Sequence, residues 1–514
     1  MPTPPKPSAA RFTNRVRVVT GILVLGALVI VGRLYVVQIV HGEEYARKAD
    51  AQLVVTKDPL LNRGGIYFTD KAGERVVAAT LRPLGEDSKG HQRYYPGRSL
   101  AAQTLGFVAY NNDDEQKGRY GLERYYEHTL ARPGENLYKN FFVELFGGLQ
   151  SALSGTPSYG DIITTIEPTV QAELERTLAE YGAHWSPRLA GGVVMDPMTG
   201  EILAMAVYPP FDVNEFNMQE DPLIFGNPMA ESVYEMGSIM KPLTLAAGLD
   251  SGAITESSTY NDTGCIEMDE KKICNHDLRA RGPGTTMQQV LSESLNLGAS
   301  FVATKMGPDT MREYFLDRYK FGEETGVDLP GELRGLTDNL KSSRRVEHNT
   351  ASFGQGIAIT PVQMTRALAS IGNGGYLVTP HLVRAVRDER GFERELGWGE
   401  PVRILKGETS TAISRMLTEV VDKALADGKI KIERHSVAAK TGTAQVANPN
   451  GGGYYTDRYL LSFFGYFPSF DPKFVGFLYA QEPVGAPFAS QTWAGPFHTF
   501  TEFLLNYYNI PPDR

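Results

Sequence analysis

Strand-like apolar runs stand at both ends of the region after residue 188, and this arrangement limits the folds open to the chain. The first two flank the turn Asp-Pro-Met-Thr-Gly at 196–200, a strong hairpin signal. The runs are 191–195, 201–208, 436–446, 460–467 and 473–482. Residues 259–380 between them are predicted to be mostly helices and loops, and 499–508 a closing helix. The order predicts an α+β domain in which one antiparallel sheet is assembled from both ends, beside a helical insertion.

The N-terminal region contains an apolar run long enough to span a bilayer. Residues 18–32 are almost entirely apolar and 34–40 continue the run after Arg33, while a bilayer core needs ~20 such residues. Arginines precede the run, which places the N-terminus in the cytoplasm and the rest of the chain outside. A cleaved signal peptide is the alternative, but the sequence at 32–35, Gly-Arg-Leu-Tyr, does not resemble a cleavage site. We therefore predict a single-pass anchor over 16–40.

The net charge and the cysteine content restrict the partners and cofactors that the chain is predicted to bind. The formal net charge is −9, whereas a general nucleic-acid binder presents a basic face, so no nucleic-acid partner is predicted. Cys265 and Cys274 are the only cysteines; outside the cytoplasm they can form one disulfide, and the sequence leaves this open. His276 is a weak third zinc ligand and no H-x₃₋₅-H pair lies nearby, so neither a metal nor a cofactor is predicted.

Ser238 and Lys241 form an S-x-x-K motif at the start of a helix predicted over 238–249. Their spacing places both side chains on one helix face. A serine hydroxyl needs a neighbouring base to become a nucleophile, and a lysine kept neutral by burial and nearby positive charge can be that base. By itself the motif is short enough to occur by chance.

Two further motifs follow in the chain. Ser294-Leu295-Asn296 is an S-x-N, and Lys440-Thr441-Gly442 is a K-T-G within a predicted strand. Each of the three motifs occurs once, and their first residues are separated by 56 and 146 positions. This order resembles that of the serine penicillin-recognising enzymes. Accidental occurrence is the alternative for each motif, with Ser294 a helix cap and Lys440 a solvated strand residue.

The resemblance extends over nearly the whole chain and is to class B penicillin-binding proteins. Tyr-Glu-Met-Gly-Ser at 234–238 is similar to their Y-x-P-G-S, with Met236 where proline is usual. Residues 196–205 resemble their first hairpin, and Phe-Gly-Gln-Gly at 353–356 their G-Q-G stretch. Arg-Gly-Gly-Ile-Tyr at 63–67 resembles the start of their pedestal.

The resemblance implies a β-lactamase-like transpeptidase domain, with a five-stranded antiparallel sheet and a helical subdomain, after an anchor and an elongated pedestal. The predicted divisions are a cytoplasmic tail (1–15), the anchor (16–40), a dimerisation-like pedestal (41–187) and the transpeptidase domain (188–514). The chain before residue 191 is too short to contain a glycosyltransferase domain, so a bifunctional class A enzyme is not expected.

The resemblance also implies a role for each motif residue in peptidoglycan cross-linking. Ser238 attacks the penultimate D-Ala carbonyl of a stem peptide, and Lys241 accepts its proton. Ser294 relays the proton to the leaving amine, and Asn296 binds the peptide amide. Lys440 completes the expected catalytic set.

The K-T-G strand is expected to bind the substrate. Lys440 and Thr441 hold the terminal carboxylate, and Gly442 lies between Thr441 and Thr443 in the same binding strand. The backbone N–H groups of Ser238 and Thr443 form the oxyanion hole.

The implied substrates are D-Ala-D-Ala stem peptides, and β-lactams are the implied covalent inhibitors. The implied protein partners are a SEDS-family glycosyltransferase and other wall-synthesis proteins of the bacterial cytoplasmic membrane. A division role is favoured over elongation because the pedestal is short. Two other function classes stay open: a carboxypeptidase or β-lactamase, and a non-catalytic penicillin sensor on the same fold.

Overall fold

The structure is a computed structural model of the chain. The described residues are 9–35, 63–84, 91–110, 116–131, 159–388, 390–448, 451–486 and 488–514. Parts of the predicted segments lie outside them: 1–8 of the tail, 36–40 of the anchor, 41–62, 85–90, 111–115 and 132–158 of the pedestal, and 389, 449–450 and 487 of the predicted transpeptidase domain.

The chain divides into two compact units, 1–58 and 59–514. In the first unit the structure describes one helix, α1, over Ala9–Tyr35. None of the helices in the described ranges combines the length and apolar character needed to cross a membrane.

The second unit holds all the strands of the described residues. They are β1 Ile66–Thr69, β2 Arg75–Pro83, β3 His91–Tyr94, β4 Val108–Tyr110, β5 Gln116–Gly118, β6 Gly160–Thr164, β7 Leu189–Met195, β8 Ile202–Tyr208, β9 Thr259–Asp262, β10 Cys265–Met268, β11 Lys271–Cys274, β12 Gly282–Thr286, β13 Tyr376–Leu377, β14 Val383–Asp388, β15 Glu393–Glu395, β16 Val402–Arg403, β17 Ala438–Ala447, β18 Tyr454–Phe467 and β19 Phe474–Gln481.

Its α-helices are α2 Ala102–Leu105, α3 Gly121–Tyr125, α4 Glu127–Leu130, α5 Pro168–Trp185, α6 Pro228–Glu231, α7 Lys241–Asp250, α8 Met287–Ser292, α9 Asn296–Arg312, α10 Arg345–Ala351, α11 Pro361–Gly372, α12 Gly407–Glu419, α13 Ala489–Thr492 and α14 Ala494–Tyr507. Short 3₁₀ or π turns cover Val213–Met218, Pro222–Phe225, Gly237–Met240, Glu313–Arg318, Asp338–Lys341, Val420–Ala424 and Leu425–Gly428.

The predicted five-stranded sheet is confirmed, with the order β17-β18-β19-β7-β8. Every neighbouring pair is antiparallel. The first hairpin, β7–β8, therefore joins the three C-terminal strands at β19. Strand β17, which carries the K-T-G motif, lies at the edge of the sheet and pairs only with β18.

Two buried helices support this sheet. Every residue of α11 is buried, and the helix packs against α7 and β19. Its start is fixed by a capping box, because Thr360 Oγ1 accepts from the Gln363 N–H at 3.1 Å and Gln363 Oε1 accepts from the Thr360 N–H at 2.9 Å. Because every residue of α11 and every residue of α7 except Leu249 is buried, these two helices form the centre of the helical layer.

The prediction that 259–380 is mostly helix and loop is incomplete. The segment also contains the short antiparallel pairs β9–β12 and β10–β11. These strands have only four or five residues each, so alternation of apolar and polar residues gives too little signal to identify them.

A second sheet, separate from the five-stranded sheet, has the order β15-β14-β6-β1-β2-β3. Strands β14 and β15 come from a part of the chain far beyond the other four. Beside this sheet the carboxylate of Glu123 is fully buried and pairs with Arg63 at 2.7 Å and with Arg93 at 2.6 Å. Burial opposes ionisation of Glu123, but the two arginines hold its pKa below the usual value.

Candidate active site

The predicted nucleophile lies in a tight turn, Gly237–Met240, that leads directly into α7. Gly237 has φ +64° and its N–H donates to the Gly354 carbonyl at 3.1 Å. A Cβ at Gly237 would lie 2.7 Å from the Thr443 carbonyl oxygen. Only glycine combines this conformation with such a close approach, so the turn holds Ser238 directly against the K-T-G strand.

Lys241 is fully buried below Ser238, one turn along the chain. Its Nζ lies 3.0 Å from Ser238 Oγ and 3.2 Å from Ser294 Oγ, and it donates to the Ser294 carbonyl at 2.6 Å. Burial, and secondarily the charge of Lys440, lower the pKa of Lys241 well below its ordinary value. A lysine in this state can accept the proton of Ser238.

Ser294 bridges the two lysines of the site. Lys440 Nζ lies 3.1 Å from Ser294 Oγ and also donates to the Thr441 carbonyl at 3.1 Å. Ser294 has φ +57°, a conformation that non-glycine residues rarely adopt and that concentrates at functional sites. Burial lowers the pKa of Lys440 to about 8, so this lysine carries most of its positive charge at neutral pH.

The remaining K-T-G residues form the edge of the sheet beside the nucleophile. Thr441 and Thr443 line the cleft. A Cβ at Gly442 would lie 2.3 Å from Ser462 Oγ and 2.7 Å from the Met236 carbonyl oxygen. Glycine at 442 therefore allows β17 to pack against the turn, and an edge strand leaves backbone groups available to a peptide.

Asn296 is the first residue of α9 and lies in the same cleft. Its Nδ2 donates to the Cys274 carbonyl at 2.9 Å. Cys274 is joined to Cys265 by a disulfide with Cα atoms 4.1 Å apart. The structure thus contains the bond that the sequence left open.

These residues surround one cleft of about 790 Å³. Six of the eight predicted site residues line it, namely Ser238, Ser294, Asn296, Lys440, Thr441 and Thr443. Lys241 lies beneath the cleft floor and reaches it through Ser238 and Ser294, while Gly442 packs behind the strand.

The cleft is also lined by residues that the sequence did not predict as site residues. Gln355 belongs to the G-Q-G stretch and lines the cleft, so its position within that motif was the available signal. His276 and Phe488 also line it, and their rings meet edge to face with centroids 6.4 Å apart. No short motif marks either residue in the sequence.

This geometry contains the parts that a serine acyl-transferase site requires. Ser238, the buried Lys241, Ser294 and Lys440 converge from three separate chain segments. A hydroxyl activated by an adjacent base is the arrangement that covalent acyl transfer requires.

Comparison with known proteins identifies the family. Residues 190–497 match the penicillin binding protein transpeptidase domain. Stage V sporulation protein D of Bacillus subtilis is 30% identical over 84% of this chain and 66% of its own length. Peptidoglycan D,D-transpeptidase FtsI of Escherichia coli is 28% identical over 84% of this chain and 69% of its own length.

The fold agrees with a solved structure of the same kind. Penicillin binding protein 3 from Mycobacterium tuberculosis, complexed with aztreonam, aligns with a TM-score of 0.76 and 25% identity, covering 89% of this chain and 98% of that chain. This chain belongs to the penicillin-binding protein transpeptidase family, and the predicted class B resemblance is confirmed. It spans about two thirds of the length of the two curated relatives.

Proposed function

We propose that the chain is a peptidoglycan D,D-transpeptidase that works through an acyl-enzyme on Ser238. The observation that carries the proposal is the position of Lys241 Nζ, 3.0 Å from Ser238 Oγ and 3.2 Å from Ser294 Oγ. A buried lysine in this position can accept the proton of Ser238 and pass it through Ser294 to the leaving amine.

Acylation begins when Ser238 Oγ attacks the penultimate D-Ala carbonyl and its proton passes to Lys241. A C–O bond forms, and the carbonyl becomes an oxyanion that the backbone N–H groups of Ser238 and Thr443 stabilise; one such donor is typically worth about 3 kcal/mol. The C–N bond then breaks, and the proton moves through Ser294 to the departing D-Ala amine. In the second half, the amine of a neighbouring stem peptide attacks the ester and Ser238 regains its proton.

Substrate recognition uses the carboxylate at the end of the stem peptide. Lys440 supplies a buried positive charge, and Thr441 and Thr443 line the adjoining wall. A charge-assisted hydrogen bond to a carboxylate is stronger than a neutral one. Because a β-lactam also carries a carboxylate next to a reactive amide, we propose that β-lactams acylate Ser238 in the same orientation.

The experiment combines fluorescent penicillin labelling with a cross-linking assay on lipid-linked substrate. We expect covalent labelling of the native chain, loss of labelling in a folded Ser238→Ala variant, and formation of cross-linked product. Release of D-Ala without cross-links would favour a carboxypeptidase, and labelling without either product would favour a penicillin sensor. Covalent label retained by folded Ser238→Ala would contradict the assignment of the nucleophile.

We also propose that residues 16–40 anchor the chain in the cytoplasmic membrane, with the catalytic unit outside. The long apolar run after several arginines supports this proposal. An N-terminal tag should be retained in the membrane fraction of mature protein, and its loss there would contradict an uncleaved anchor.

The anchor and pedestal would then contact a SEDS-family glycosyltransferase during division. Co-purification of such an enzyme with the full chain, and its absence after deletion of 1–187, is the expected result.

A further inference from the structure

A short disulfide-bonded hairpin, β10–β11, contacts the S-x-N motif. The strands pair in register from Cys265↔Cys274 to Met268↔Lys271, and the disulfide joins the first of these pairs. The carbonyl of Cys274 accepts the hydrogen bond from Asn296 Nδ2 at 2.9 Å. One end of the disulfide therefore adjoins a residue that lines the substrate cleft.

This hydrogen bond decides how the Asn296 amide is presented. A primary amide has a donor branch and an acceptor branch. Because one N–H of Nδ2 is engaged by Cys274, the orientation of the amide is fixed, and its second N–H and Oδ1 remain for a peptide bond in the cleft. Displacement of the Cys274 carbonyl would free the amide to rotate and to exchange the positions of its N–H and Oδ1 groups.

The next residue reinforces the same contact. Asn275 is buried, and its Oδ1 accepts from the Leu297 N–H at 3.1 Å, which satisfies one free amide in the first turn of α9. Its Nδ2 donates to both oxygens of the buried Asp262 at 2.9 Å. Residues 274–275 thus contact both 296 and 297, and the hairpin base and the helix start are positioned together.

The hairpin strands are too short to maintain this position by pairing alone. Each has four residues, and an isolated two-stranded hairpin is marginally stable in water. The disulfide fixes the pairing next to the Asn296 contact and restricts the backbone on both sides of it. The far end of the hairpin is held separately, where Asp269 Oδ2 accepts from the Val346 N–H at 2.8 Å.

We propose that the Cys265–Cys274 disulfide is a positioning element for Asn296 in the acyl-transfer reaction, so that its reduction slows acylation of Ser238. The inference rests on the proposed function. Reduction requires an external dithiol, which becomes a disulfide while the S–S bond yields two protonated thiols. The active site then keeps its nucleophile and its base but loses the fixed orientation of the Asn296 amide.

The test is a double-mutant cycle on the full chain, with a penicillin carrying an acylamino side chain as the probe. Acylation is followed in stopped flow, and its concentration dependence separates affinity from the maximal rate constant. Replacing both cysteines by alanine should lower the maximal rate about three- to tenfold, the factor that corresponds to one oriented hydrogen bond. Affinity should change little, because Lys440 and Thr441 are untouched.

The cycle is completed with Asn296→Ala. In that background, removal of both cysteines should cause almost no additional loss, because the residue they position is gone. An equal loss in both backgrounds, or no loss in either, would overturn the inference. Lys272→Ala, an exposed position on the same hairpin, is the matched control and should acylate at the native rate.

Mild reduction of the native chain provides a second measurement if the cysteine variants fold poorly. Acylation should slow on adding a dithiol and recover on reoxidation, at an unchanged melting temperature for the major transition. A reduced, folded chain that acylates at the native rate would count against the inference. If the proposed function itself were wrong, the native oxidised chain would not be acylated at all, and this result is distinct from a failure of the disulfide inference.

Discussion

Lys440 Nζ lies 3.1 Å from Ser294 Oγ, although the two residues are separated by 146 positions in the chain. The contact joins the edge strand of the transpeptidase sheet to the loop before α9. It places a positive charge close to Lys241, whose pKa is lowered first by burial and then by Lys440. Lys440 therefore also helps to keep Lys241 neutral.

Replacement of Lys241 should remove the base while leaving the nucleophile in place. We expect Lys241→Met to slow acylation by penicillin about 10²- to 10⁴-fold, the range that positioned acid–base groups contribute. Stopped-flow fluorescence gives the rate, and the exposed Lys431→Met is the control. A Lys241→Met protein that acylates at the native rate would exclude this lysine as the base.

The pH profile of acylation should be bell-shaped when it is measured as the rate constant divided by the dissociation constant. The acid limb reports protonation of Lys241, which abolishes its ability to accept a proton. The alkaline limb should lie near the Lys440 pKa of about 8, because a neutral lysine binds the carboxylate less well.

Two variants test the assignment of these limbs. Lys440→Arg keeps its charge at every accessible pH, so the alkaline limb should move upward. Lys440→Ala removes a positive charge near Lys241, so the pKa of Lys241 should rise and the acid limb should move to higher pH. Unchanged limbs in both variants would refute the assignment.

Gly442→Ala should disrupt the packing of β17 against the nucleophile turn. The new Cβ would lie 2.7 Å from the Met236 carbonyl oxygen, so the strand must shift, and overpacking of this kind costs about 1–3 kcal/mol. We expect a lower melting temperature and slower acylation. The control is Gly476→Ala in the same sheet, where the nearest atom is at 3.5 Å; equal effects of the two changes would contradict this explanation.

Glu123→Gln should destabilise the fold without involving the active site. It removes the carboxylate that Arg63 and Arg93 share, so Arg93 loses its ion-pair partner while Arg63 keeps Glu127 at 2.8 Å. Breaking a buried ion pair costs about 3–5 kcal/mol. Urea denaturation measures the free energy of unfolding. Glu419→Gln, which breaks an exposed pair with Lys423, should cost no more than about 0.5 kcal/mol, and a similar loss in both variants would be inconsistent with the buried network.

The five-stranded sheet could be predicted because each of its strands is an apolar run with its own turn signals. The hairpin β7–β8 and the strands β17 to β19 are long enough for their patterns to be read locally. The second sheet was not predictable in the same way. Strand β14 pairs with β6, more than two hundred residues earlier, and β15 pairs with β14. No local pattern encodes the pairing of β14 with β6.

The sequence by itself was enough to predict the nucleophile and its motifs, because S-x-x-K depends on helix geometry and K-T-G lies in a strand, and both elements are local. Only the tertiary structure decided that Lys241 is buried beside Lys440, that Ser294 bridges them, and that Cys274 holds Asn296. A pKa depends on burial and on charges within a few ångströms, and these neighbours come from distant segments. The chemistry of each residue is thus fixed by its type, and its reactivity by the fold that surrounds it.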